Sequence, residues 1–99
     1  MISAAQAREK TNERLNQIAK EFITNYAERV IDMAIGKGNF MAAVCLDDVT
    51  KGVPTESVVN IGKEVVRILK SDLGFEAEHT YREGDRDRVN TILIKWGTN

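Results

Sequence analysis

The feature that most constrains this chain is a helical stripe too long for its domain. From Leu15 the apolar residues Leu15, Ile18, Ala19, Phe22, Tyr26, Val30, Met33 and Ala34 recur at three- and four-residue spacing, which places them along one helix face. Upstream, Ser3 followed by Gln6 reads as a capping box, each side chain satisfying a backbone N–H of the first turn. Glycine accepts the left-handed conformation that ends helices, so the stop is expected at Gly36, with Gly38 in reserve. A single helix over 3–36 is therefore expected. Residues 4–35 alone would measure roughly 48 Å at 1.5 Å per residue. A 99-residue domain folded as a sphere is only roughly 34 Å across, so the helix should overhang. Its segment Arg8–Arg14 carries no strongly apolar residue. Those turns have little to bury in their own core, and Arg8, Thr11, Asn12 and Leu15 are the residues expected to meet a partner or a second copy of the chain.

The remaining chain divides by period. Phe40 to Leu46 is a continuous apolar run ended by Asp47 and Asp48, which reads as a central strand over 40–46 covered on both faces. Asp47 to Thr55, with Gly52 and Pro54, reads as a loop. Thr55 or Ser57 would then cap a second helix over 56–73. Its interior face is Val58, Ile61, Val65, Ile68 and Leu69, and Gly74 ends it. Phe75, Ala77, His79 and Tyr81 alternate with charged and polar residues, so the period becomes two. Strands over 75–82 and 88–96 are expected to form a hairpin around Gly84. The order α-β-α-β-β predicts one α+β domain. A right-handed crossover would set the first two strands parallel, with the third between them and antiparallel to both. The expectation is a three-stranded mixed sheet with helices packed on one face.

Composition narrows the function classes. Fourteen basic against 15 acidic residues leave a net charge of −1, too weak a field to draw in nucleic acid or an anionic membrane. The one cysteine, Cys45, excludes an intrachain disulfide. The longest apolar run is too short for a membrane helix and no signal peptide is visible, which makes a cytoplasmic location the default.

No catalytic set assembles from the residues. His79, the sole histidine, sits at an alternating strand position where a structural role is expected, and Cys45 reads as a small buried hydrophobe. Asp47 and Asp48 follow the first strand, where α/β sheets often present ligands. Two adjacent acids without further spaced ligands read as loop carboxylates rather than a magnesium site. Neither a metal nor a cofactor is implied. The one cationic cluster is on the hairpin: Arg82, Arg86, Arg88 and Lys95 near Tyr81 and Trp96, residue types that can grip phosphates or stack on bases. Glu83, Asp85 and Asp87 interleave with them and cancel much of that field. If the chain has a ligand or partner site, the hairpin is where it is expected.

The start Ile2, Ser3, Ala4, Ala5, Ala7, Arg8, the helix exit Ile31, Ala34, Gly36, Asn39, Phe40, the turn Leu73, Gly74, Phe75 and the closing Ile92, Ile94, Trp96 resemble small accessory proteins of tailed bacteriophages and prophages. The resemblance implies a phage-encoded protein acting in the host cytoplasm by binding, foremost as an inhibitor of a host or host-defence protein. Two alternatives stand beside it: an oligomer that sequesters a nucleotide signal with the hairpin arginines, and a minor virion component.

Overall fold

A computed structural model describes residues 1–84 and 88–97. The chain opens with helix α1 (Ala4–Phe22), continues through a wide π-helical turn (Ile23–Ala27) and finishes the same rod as α2 (Glu28–Gly36). The expected capping box is present: Gln6 N–H donates to Ser3 Oγ at 3.2 Å and Ser3 N–H to Gln6 Oε1 at 2.9 Å. The rod accounts for the longest dimension of the molecule, 53 Å against 35 and 22 Å.

The wide turn follows from the sequence. Leu15, Ala19, Ile23, Ala27 and Ile31 are spaced by four, and at 3.6 residues per turn each step drifts about 40° around an α-helix. One turn with an extra residue absorbs the drift and keeps Ile23, Ala27 and Ile31 against the core. The same turn moves Tyr26 and Met33, expected on the buried stripe, out to solvent, where Met33 is 58% exposed. The helix ends at its first glycine, as expected, and the second supplies the left-handed turn. Gly36 is still helical, and Gly38 takes the left-handed conformation at φ +76°, with Asn39 N–H reaching back to Ala34 O at 2.9 Å.

Strand β1 (Met41–Cys45) alternates rather than being covered on both faces: Ala42 and Val44 are buried, while Met41, Ala43 and Cys45 are exposed. The segment expected to be a loop begins with a one-turn helix, α3 (Asp47–Thr50), before Gly52 at φ +79° turns the chain. Helix α4 (Thr55–Ser71) follows, with Pro54 at the cap position and Thr55 already helical. Its predicted face is buried, together with Gly62, and Gly74 at φ +76° ends it. The hairpin is β2 (Glu76–Glu83) and β3 (Arg88–Lys95).

Strand order is β1-β3-β2. The expected placement of the third strand between the other two is present, and one consequence corrects the description of the sheet. Both neighbouring pairs are antiparallel, because the two parallel strands never meet, so the sheet is antiparallel rather than mixed. It also puts β1 at an edge and β3 in the centre. Helices cover the face of Val44, Ile92, Ile94 and Ala77, closing a core around the fully buried Phe22, Leu46 and Leu69. No helix among the described residues is long and apolar enough to cross a membrane.

Candidate functional site

Two features beyond the core distinguish this molecule: a buried polar chain between the sheet and α3, and an exposed apolar corner where α2 meets β1. The polar chain centres on Asn90, on the helix-covered face of β3 and only 2% exposed. Its amide nitrogen donates to Asp47 Oδ1 at 3.1 Å and to Thr50 Oγ1 at 3.0 Å, and the Thr50 hydroxyl donates on to Leu46 O at 2.9 Å. With both amide hydrogens used, Asn90 Oδ1 must accept, and His79 Nε2, 2.7 Å away, is the donor. The imidazole therefore carries its proton on Nε2. The opposite side of the ring lies against Gly62 of α4, where an added Cβ would fall 2.0 Å from Nδ1.

This chain of side chains brings a cysteine, a carboxylate and a histidine into one neighbourhood, but its directions are wrong for nucleophilic catalysis. Cys45 Sγ donates to Asp47 Oδ2 at 3.3 Å rather than to an imidazole. Burial, and then the acidic neighbours Asp47 and Asp48, hold the thiol above its ordinary pKa, so the nucleophilic thiolate is disfavoured at neutral pH. Asp47 is held below the usual carboxylate range, first by the Asn90 amide, then by the Cys45 thiol. Arg88 adds a half-exposed ion pair to it at 3.4 Å. Every member thus satisfies another, and the arrangement locks α3 to the hairpin. Among the described residues no group of three or more histidines, cysteines and carboxylates could hold a metal.

The hairpin residues expected to form a ligand site are dispersed. Arg82 points to the open face of the sheet, whereas Arg88 lies along the α3 side in its pair with Asp47. Lys95 is seven residues further along β3, about 23 Å away at the usual strand rise. Trp96 packs edge-on against Phe75, centroids 5.9 Å apart, and its backbone N–H donates to Phe40 O. Tyr81 tilts beside His79, its hydroxyl shielded near Glu83 and Thr55 without closing a hydrogen bond to either. The Glu83 carboxylate and burial raise its pKa. Arg86 lies outside the described residues. On α1, Leu15 packs against the core. Thr11 and Asn12 line an open groove facing Asn60, Lys63 and Arg67 of α4, closed below by Asn16 donating to Glu64 at 3.3 Å. The overhang is thus limited to the turns before Thr11, with Arg8 exposed on them.

The apolar corner was not singled out from sequence, because Phe40 and Met41 read there as part of a buried strand. Phe40 is 66% and Met41 49% exposed, and together with Lys95 and Gly97 they form a shallow cleft. Gly97 packs closely beside Phe40: a Cβ there would approach Phe40 Cβ to 2.8 Å. Met33 and Ile35, each 58% exposed, lie on the last turns of α2 leading to it. Compared with family models, with curated proteins and with solved structures, the chain matches none.

Proposed function

We propose that this chain acts by binding another protein through the corner around Phe40 and Met41, as an accessory inhibitor of a bacterial host or host-defence protein. The observation that carries the reading is the exposure of large apolar side chains within the nine residues Met33–Met41, at the helix exit. Exposed apolar surface of this kind costs solubility and typically marks an interaction site. An aromatic and a methionine are among the residue types enriched at protein interfaces. The polar chain through Asn90 adds support from the other side, because its residues are committed to one another and leave no free nucleophile and base.

Its likeness to phage accessory proteins supplies the class of partner. Dispersal of Arg82, Arg88 and Lys95 gives a nucleotide no common cradle, so the sequestering alternative gains nothing from the geometry. Capture from bacterial lysate on the immobilised chain tests the proposal. A stoichiometric protein partner is expected, and its loss in Phe40→Glu. Absence of any such partner would refute the reading.

A further inference from the structure

The second edge of the sheet carries a different surface, on the opposite side from Phe40. Strand β2 pairs with β3 through eight consecutive residues without a bulge, and contains neither proline nor lysine. Of the devices that usually blunt an exposed strand it has only charged side chains, Glu76, Glu78, Arg82 and Glu83, with no bulge, proline or lysine. Among the described residues no backbone hydrogen bond is made from that edge to another segment. Beside it runs an open groove lined by Val59, Lys63 and Val66 of α4 with His79 and Tyr81 of β2, in which both valines are only half-buried.

We propose that a second copy of the chain occupies this edge, the two β2 strands pairing antiparallel about a two-fold axis at His79 to give a continuous six-stranded sheet. The side chains are complementary in this register. With His79 opposite its own image, Glu78 faces Thr80, Ala77 faces Tyr81 and Glu76 faces Arg82, each pair occurring twice by symmetry. Glu76 and Arg82 lie on the open face of the sheet, so both cross-strand ion pairs form on one surface. Shifting the register by one residue would bring open-face side chains opposite helix-face ones and lose these pairs. On the other face, the Tyr81 ring lies over Ala77 of the second copy. The grooves of the two α4 helices then close on each other, covering Val59 and Val66. Registers centred on Ala77 or Glu78 would set glutamate against glutamate, whereas this one answers Glu76 with arginine.

The test is sedimentation equilibrium on the full chain with charge reversals at these two exposed positions. The wild type is expected to dimerise. Glu76→Arg and Arg82→Glu alone each turn two attractive pairs into two repulsive ones and should weaken the dimer roughly ten- to a hundred-fold. The double variant Glu76→Arg/Arg82→Glu should restore it to within a few-fold of wild type, which a fold defect would not do. Phe40→Glu should leave the dimer intact, separating this result from the fate of the proposed host partner. A concentration-independent monomer would overturn the proposal, as would a dimer indifferent to the single reversals or one the double variant fails to restore. Protection of β2 amides only on adding a different protein would assign the edge to another chain and overturn it equally.

Discussion

Gly62 has no room for a side chain, because the His79 ring occupies the space a Cβ would take. Alanine in a helix interior normally gains about 1 kcal/mol over glycine. Here Gly62→Ala should instead destabilise the fold, since the ring is anchored to Asn90 and cannot swing clear without giving up that bond. In a His79→Ala background the same substitution should become stabilising by up to about 1 kcal/mol. A urea-denaturation cycle over the four variants reads the change of sign. The Asn90 amide, with the Cys45 thiol, gives Asp47 a folded pKa below its unfolded value. Its stabilisation is therefore fully present above the ordinary aspartate pKa and disappears as pH falls through the folded one. Urea midpoints measured between about pH 6 and pH 3 should fall less steeply in Asp47→Asn than in wild type, with Glu64, lowered by Arg67, leaving a residual slope of the same sign. His79 and Asp47 could be found in the sequence as single residues. Their link could not, because Asn90 sits 11 residues from one and 43 from the other, and only the register of β3 brings it between them.

Elements were legible where local chemistry specifies them. Ser3 and Gln6 mark the start of α1, the stripe Val58 to Leu69 marks α4, and the change of period after Gly74 marks the hairpin. Two misreadings have a common cause, which is that apolar character alone does not say which side of an element is covered. Phe40–Leu46 looks buried throughout, yet β1 lies at an edge with one face open, because the hairpin returns β3 into the centre. Tyr26 and Met33 fit an ideal helical stripe and are displaced by the wide turn that serves the four-residue spacing of Ile23, Ala27 and Ile31. The end of α2 was legible only as a choice between two glycines, decided by which one turns left-handed. Gly38→Ala should therefore cost roughly 1–2 kcal/mol through backbone conformation alone, since open space surrounds the position. Gly36→Ala should be neutral to stabilising, and thermal melts of the two variants separate the roles.

At the scale of the whole molecule, one long rod and a second helix cover a single face of a small sheet. Among the described residues the other face, both sheet edges and the helix exit are left uncovered. Asp47, Thr50, Asn90 and His79 fasten α3 to the hairpin, while large apolar side chains are left in solvent at the helix exit. Composition alone could argue only that no catalytic set was visible; the position of the exposed corner required the fold. The decisive measurement is quantitative capture from bacterial lysate by three immobilised forms side by side: wild type, Phe40→Glu and Cys45→Ser. Binding at the corner predicts a stoichiometric partner retained by wild type and Cys45→Ser and reduced at least tenfold by Phe40→Glu, with all three forms equally folded by circular dichroism. A partner held equally well by Phe40→Glu, or lost only in Cys45→Ser, would contradict that assignment.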